Sequence, residues 1–173
     1  MVVKNLKELE RELRTRIDYA LLTDVTEVVT TVMLDHIERD VYDSYVPHEY
    51  VRRYDNGGLM DINNINSSIE GDTLVVENNT MANPYIFVQG KMIKSDNTGQ
   101  ELAPIIETGW GYDFGNWTYH GVARPFVYNA KEDLSDNKYH VMALRQGLKR
   151  QGIEVKWNGR WFKNTSSCGT WHK

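Results

Sequence analysis

The first forty residues carry two rows of apolar positions at helical spacing, with charged residues filling the opposite face of the first row. The first row lies at Leu6, Leu9, Leu13, Ile17 and Ala20 or Leu21. The second row lies at Val25, Val29, Met33, Ile37 and Val41. This periodicity predicts two amphipathic helices. Asp24, followed by Glu27 three residues later, resembles an N-capping arrangement, so either a bend near Asp24 or one long helix fits the pattern.

The middle third changes to the short runs that are typical of strands. One run lies at Ile62–Ile69 and another at Leu74–Val76, on either side of Glu70-Gly71-Asp72, which predicts a hairpin. Tyr85–Val88 and Lys91–Lys94 predict another short strand pair or an insertion. Gly109–Gly121 is rich in glycine and aromatic residues, which indicates a strand or an exposed aromatic loop.

The last clear element runs from about Pro125 to Gln151 and is predicted to be one helix with Gly152 as its C-terminal cap. Its expected buried stripe consists of Val127, Leu134, Val141, Leu144 and Leu148. We therefore expect an α+β fold in which N-terminal helices and a C-terminal helix pack on a small, mostly antiparallel β-sheet. Residues 1–155 would form one domain, and the tryptophan-rich residues 156–173 a hairpin or a flexible tail.

Composition narrows the class of protein. The chain has 173 residues, 40% of them hydrophobic and 25% charged, as expected of a globular domain. A formal net charge of -4 disfavours nucleic-acid binding driven by overall charge. The single cysteine, Cys168, cannot form an intramolecular disulfide. With no secretory signal and no apolar run of about 18 residues, the sequence predicts no membrane association.

Motifs for catalysis are nearly missing from the sequence. Asp113-Phe114-Gly115 spells a kinase triplet without the accompanying kinase motifs, and the five histidines are scattered without metal-ligand spacing. We therefore expect no catalytic residues, no metal and no cofactor. Two alternatives stay open, a small hydrolase using Asp113 and His120, and a nucleic-acid-binding module using the basic C-terminal region.

Aromatic and arginine side chains instead concentrate in two segments, Val41–Ile65 and Glu101–Leu148. We call Val41–Ile65, which joins the helices to the first strand, the connector. Such residue types are enriched in protein interfaces, although packing under a long loop or a solvated surface would also fit. We expect the Arg52 and Arg53 guanidiniums to be exposed. The predicted interface consists of a first patch and a second patch, with Arg124 as a further residue. The first patch is Tyr45, Tyr50, Arg52 and Arg53, and the second is the segment from Trp110 to Tyr119, with Trp110, Trp117 and Tyr119 as its predicted contacts.

Three stretches together resemble a known family. They are the connector, the strand Leu74–Thr80 (LVVENNT), and the closing pattern ARPFVYNAKEDL at Ala123–Leu134 with ALRQGLKRQGI at Ala143–Ile153. They look like the tail-completion or head–tail joining proteins of HK97-type tailed bacteriophages, over about Tyr42–Ile153. Asn56-Gly57-Gly58-Leu59 stands where that family usually has a threonine-glycine before an arginine-leucine step, and the tail after Lys156 is not typical of it.

The resemblance implies a non-enzymatic structural protein of the virion that assembles as a closed ring, most often a hexamer, in the neck or at the tail end. Its implied partners are copies of itself and other neck, tail-tube or connector proteins, with transient contact to DNA passing through the ring. Its implied location is the virion, and the host cytoplasm during assembly.

Overall fold

The N-terminal helices form one continuous helical stretch from Leu6 to Tyr42 in the computed structural model. Helix α1 spans Leu6–Ala20 and helix α2 spans Thr26–His36, with wider π-helical turns at Leu21–Val25 and Ile37–Tyr42. The Asn5 side chain accepts a hydrogen bond from the Glu8 backbone N–H at 2.9 Å and caps the helix start. Asp24 lies inside the first π-helical turn, so the long helix, one of the two options left by the sequence, is the one observed. The residues described are 5–46, 52–82, 85–88, 91–94, 99–114, 117–119 and 121–156, with backbone only for 85–88, 92–94, 112–114 and 117–119.

The strands pair as antiparallel hairpins. Strand β1 (Ile65–Glu70) pairs with β2 (Thr73–Asn78), and the Gly71-Asp72 turn joins them as predicted. Strand β3 (Tyr85–Val88) pairs with β4 (Lys91–Lys94), and β5 (Tyr112–Phe114) with β6 (Trp117–Tyr119). Within the described residues, these pairs remain three separate two-stranded sheets. The predicted α+β class is confirmed, with helices packed on a small antiparallel sheet.

The predicted C-terminal helix is in fact two helices. After helix α3 (Leu102–Thr108), helix α4 spans Phe126–Asn137 and helix α5 spans Tyr139–Arg150. Lys138 separates α4 from α5 because its backbone is left-handed, with φ 58°. The run Ser135-Asp136-Asn137 before it has low helix propensity, which the apolar spacing could not reveal. Gly152, with φ 80°, follows α5 and donates its N–H to the Lys149 carbonyl, so the predicted cap is confirmed.

The main core lies where α2 meets the connector, α3 and α4. Its fully or nearly buried side chains are Met33, Ile37, Val41, Leu59, Ala103 and Phe126. The second apolar row of the N-terminal helices therefore faces the core as predicted. The expected stripe on the C-terminal helices is only partly buried: Leu148 is buried, whereas Val127 at the start of α4 is 41% exposed.

Helix α5 packs beside the first π-helical turn and α1. Gly147 makes this close approach possible, because a Cβ atom there would lie 2.3 Å from the Asp24 Oδ2 atom. The Asp24 carboxylate forms an ion pair with Arg150. At the end of α5, Gln151 and Arg16 exchange two hydrogen bonds: the Arg16 guanidinium donates to the Gln151 carbonyl and the Gln151 amide donates to the Arg16 carbonyl. These contacts fix α5 against the middle of α1.

Candidate protein–protein interface

The connector is held in place by Arg52. Its guanidinium donates to the Tyr42 carbonyl at 2.6 Å and also to the Tyr45 carbonyl. Carbonyl groups at the end of a helix lack intrahelical partners, so Arg52 caps the end of the second π-helical turn. The same guanidinium carbon lies 5.0 Å from the Tyr42 ring centroid and 4.5 Å from that of Tyr45. The expectation of an exposed Arg52 was wrong: the side chain is half-buried and braces its own loop.

A second guanidinium, that of Arg124 just before α4, also lies against the Tyr45 ring. The Arg124 guanidinium carbon lies 4.1 Å from the Tyr45 ring centroid, within the range of cation–π attraction. The backbone N–H of Arg124 donates to the Ile106 carbonyl at the end of α3, which positions the arginine. The structure therefore brings together three predicted interface residues, Tyr45, Arg52 and Arg124. We call these three side chains the tyrosine–arginine stack.

Arg53 ties the other side of the connector to the strands. Its guanidinium donates to the Met81 carbonyl at 2.7 Å, and the side chain is half-buried, so it too is less exposed than expected. Tyr54 has φ 46° and packs edge-on against Tyr42, with ring centroids 4.7 Å apart. Burial raises the pKa of Tyr42 above its usual 10.0, against the lowering effect of the Leu59 and Met60 backbone.

A buried polar network fixes the Gly57-Gly58 turn. The Asn78 amide donates to the Leu59 carbonyl at 2.8 Å, and the Thr80 hydroxyl lies 2.6 Å from Asn78 Oδ1 and 3.1 Å from the Gly58 carbonyl. Thr80 is fully buried, and its single hydroxyl hydrogen has an acceptor in either Asn78 Oδ1 or the Gly58 carbonyl, so the hydroxyl avoids the cost of an unpaired polar group. Two sequence stretches that were singled out separately, the connector and Leu74–Thr80, are therefore one structural unit.

The second predicted patch begins at the end of α3. Gly109 has φ 73°, and a Cβ atom there would lie 2.5 Å from the Gly121 carbonyl oxygen, so only glycine lets the two chain segments meet. Trp110 follows and is 64% exposed. Trp117 and Tyr119 lie in β6, and Asp113 of the hydrolase hypothesis lies in β5. Tyr50 and His120 lie outside the described residues.

Sequence reasoning missed a polar cluster between α2 and α4. His36 Nδ1 lies 2.8 Å from an Asp40 carboxylate oxygen, and His36 Nε2 lies 3.4 Å from an Asp133 carboxylate oxygen. Arg39 also approaches His36 Nδ1 at 2.8 Å, and one ring nitrogen cannot donate to Asp40 and accept from Arg39 at once. The spacing of four residues between His36 and Asp40 in a predicted helix could have indicated their contact. Asp133 is 97 positions away from His36, so no local pattern indicates that contact.

This cluster is built to hold helices together. The Asn129 amide donates to Asp40 at 2.9 Å, and hydrogen bonds from Asn129, His36 and Arg39 keep the pKa of Asp40 below its usual 3.8 although burial acts to raise it. His36 is 2% exposed, so a substrate has no access to the imidazole. Among the described residues, no group of three or more His, Cys, Asp or Glu side chains is arranged to hold a metal ion.

Comparison with known proteins places the chain in a class and then in a family. The fold puts the chain in the α+β class, and the prophage protein described below supports a phage-derived origin. A sequence profile of the YomN family matches residues 5–150, and the chain belongs to that family. A prophage protein of Bacillus subtilis (strain 168), the "SPbeta prophage-derived uncharacterized protein YomN", is 26% identical over 155 residues, covering 88% of this chain and 96% of the relative.

Two further findings concern solved structures and membrane spans. No solved structure matches the chain. Over the described residues, every helix is too short or too polar to cross a bilayer.

Proposed function

We propose that this protein is a non-enzymatic structural component of the phage particle, a ring subunit in the neck or tail-completion region that joins head and tail. The tyrosine–arginine stack is the observation that carries the proposal. Tyr45, Arg52 and Arg124 come from two distant chain segments and are fixed against one another before any partner arrives. Preformed aromatic and arginine groups bind with a smaller loss of conformational entropy than mobile ones.

The proposed mechanism is assembly. A closed ring of identical subunits requires a heterologous contact, in which one patch of each subunit meets a different patch of the next. The connector around the tyrosine–arginine stack supplies one patch, and the segment from Trp110 to Tyr119 supplies the other. The exposed Trp110 indole offers a large apolar surface for such a contact.

The partners follow from the proposed location. Six copies of the chain would form the ring. Other neck, tail-tube or connector proteins would bind its two faces. The ring would surround DNA during its passage between head and tail. The protein would act in the virion, and in the host cytoplasm during assembly, without a catalytic step.

Cryo-electron microscopy of particles that contain the protein is the direct test. We expect a closed ring in which Tyr45 and Arg124 of each subunit lie at a subunit boundary. In parallel, light scattering of purified Arg124→Ala should show weaker self-association than the unchanged protein, because Arg124 supports the stack without belonging to the buried core.

Arg145→Ala is the matched control, since Arg145 is exposed on α5 away from the stack. It should assemble like the unchanged protein. A particle with one unpaired copy per neck, or a ring whose boundary omits both patches, would contradict the proposal. Loss of function in a folded Asp113→Ala variant with normal assembly would favour the hydrolase hypothesis instead.

A further inference from the structure

The apolar row of α1 is left uncovered by the described part of the chain. Its members Leu6, Leu9, Leu13 and Ile17 are 81%, 39%, 38% and 39% exposed. The second apolar row, from Val25 to Val41, has the same spacing, yet Val25, Met33, Ile37 and Val41 are buried and Val29 is half-buried. An amphipathic helix normally buries its apolar stripe, so we expect another segment or molecule to cover this row of α1.

A groove runs beside the row, between α1 and the β1–β2 turn. It has a volume of about 350 Å³, and its lining residues are Glu10, Leu13, Arg14, Ile17, Asp18, Leu21 and Asp72. The Arg14 guanidinium donates to the Gly71 carbonyl at 2.7 Å and to the Asp72 carboxylate at 2.5 Å, which fixes the far wall. Three carboxylates and one arginine line the groove, so its charge is negative overall.

The chain leaves the helical region beside this groove. The paired hydrogen bonds between Gln151 and Arg16 hold the end of α5 against the middle of α1. Lys156 lies five residues beyond Gln151, so the segment after it begins within about 18 Å of the Gln151–Arg16 contact, at about 3.3–3.6 Å per residue. Linkage to the same chain gives such a segment a high effective concentration at α1, on the order of millimolar for short linkers.

We propose that residues 157–173 bind along the apolar row of α1 in the same subunit. This segment of 17 residues contains no Asp or Glu, and its aromatic and basic residues are Trp157, Arg160, Trp161, Phe162, Lys163, Trp171, His172 and Lys173. The aromatic side chains cover Leu9, Leu13 and Ile17, and the cations face Glu10 and Asp18.

The length of the segment suits this placement. The row from Leu6 to Ile17 extends about 17 Å at the helical rise of about 1.5 Å per residue. An extended segment of this length reaches about 56 Å, at about 3.3 Å per residue. The segment therefore spans the row even when it turns back on itself.

The first test uses the fluorescence of the segment. In full-length protein carrying Trp110→Phe and Trp117→Phe, all tryptophan emission comes from Trp157, Trp161 and Trp171. Adding Leu13→Asp should shift the emission to longer wavelength and increase quenching by acrylamide, because a carboxylate in the row expels the indoles. Leu22→Asp is the matched control, since Leu22 is 43% exposed but lies outside the groove. Equal spectra for the two variants would overturn the proposal.

The second test uses Cys168, the single cysteine of the chain. Glu10→Cys places a second thiol in the groove, whereas Thr15→Cys places one on the opposite, exposed face of α1. Under a mild oxidant such as diamide, a disulfide within one chain should form faster for Glu10→Cys, seen as a faster-migrating monomer in non-reducing electrophoresis. A disulfide-linked dimer would instead assign the groove to a second copy, and equal rates for both variants would also overturn the proposal.

Discussion

The helical layer and the connector are stabilised in different ways. In the helical layer, formed by α1, α2, α4 and α5, whole side chains such as Met33 of α2 and Phe126 of α4 fill space in the main core. In the connector, single groups at single positions hold the structure: Gly58, which has no side chain, the guanidinium of Arg52, and the amide of Asn78 in β2, which donates to the Leu59 carbonyl. The helical layer should therefore respond to changes of volume, and the connector to changes of one group at one position.

The largest expected effect is a cavity in the helical layer. Phe126→Ala removes a fully buried ring and should lower the free energy of unfolding by about 3–5 kcal/mol. Val127→Ala, at the neighbouring exposed position, should change it by less than about 1 kcal/mol. Chemical denaturation followed by circular dichroism measures both. Similar losses for the pair would mean that α4 does not pack as described.

A single methyl group should have nearly the same effect in the connector. The Cβ of Gly58→Ala would lie 2.4 Å from the Tyr54 carbonyl oxygen and 2.7 Å from its nitrogen, both backbone atoms. We expect a loss of about 3 kcal/mol in unfolding free energy, the range of severe backbone strain. Gly71→Ala is the control, because its site is sterically open and only φ 63° opposes alanine, at about 1–2 kcal/mol. A larger loss of unfolding free energy for Gly71→Ala than for Gly58→Ala would refute the close approach of Gly58 to the Tyr54 backbone.

Removal of the Arg52 side chain should cause the next smaller loss of unfolding free energy. Arg52→Ala leaves the Tyr42 and Tyr45 carbonyls without their charged donor and should cost about 1.5–3 kcal/mol. Arg145→Ala should stay within about 0.5 kcal/mol, as usual for an exposed position. Thermal and urea unfolding of the two variants measure this difference. An Arg52→Ala variant as stable as the unchanged protein would mean that Arg52 acts only in contacts between molecules.

Acid should affect the two regions in different pH windows, with the smallest effect of the series. Burial, and then the charge of Lys138, lower the pKa of His140 in α5 below its usual 6.5, although the Leu134 backbone opposes the shift. Its folded-state pKa is depressed, so its contribution is complete above pH 6.5 and is lost as the pH falls below that value. His140→Gln should therefore flatten the dependence of the melting temperature on pH between 7.5 and 5.

In the connector, the titratable group to compare with His140 is the Asp61 carboxylate. Hydrogen bonds from the Asn63 and Gly57 backbone N–H groups keep its pKa below its usual 3.8. Its contribution is present above pH 3.8 and is lost only as the pH falls below that value. Asp61→Asn should therefore leave the profile between pH 7.5 and 5 unchanged. If Asp61→Asn flattens that window and His140→Gln does not, the assignment of the two windows is wrong.

The sequence was sufficient for the features that depend on neighbouring residues. The spacing of Val25, Met33 and Ile37 predicted a buried helix face, and Gly71-Asp72 predicted the first hairpin. Both follow from local geometry, since side chains three or four positions apart share a helix face and a short glycine turn suits two paired strands. The resemblance to phage proteins predicted the phage origin that the YomN relative supports.

The sequence alone could not show which apolar row is buried or which arginine is internal. Leu13 and Met33 look alike in their periodicity, yet only Met33 has the connector, α3 and α4 packed over it. Arg52 and Arg53 are adjacent in the sequence, but one caps a helix and stacks on Tyr45 while the other binds the Met81 carbonyl. The contact of Arg124 with Tyr45 joins residues 79 positions apart. Local patterns determine the elements and their faces, whereas burial and partners depend on how distant segments meet, so only the tertiary structure decides them.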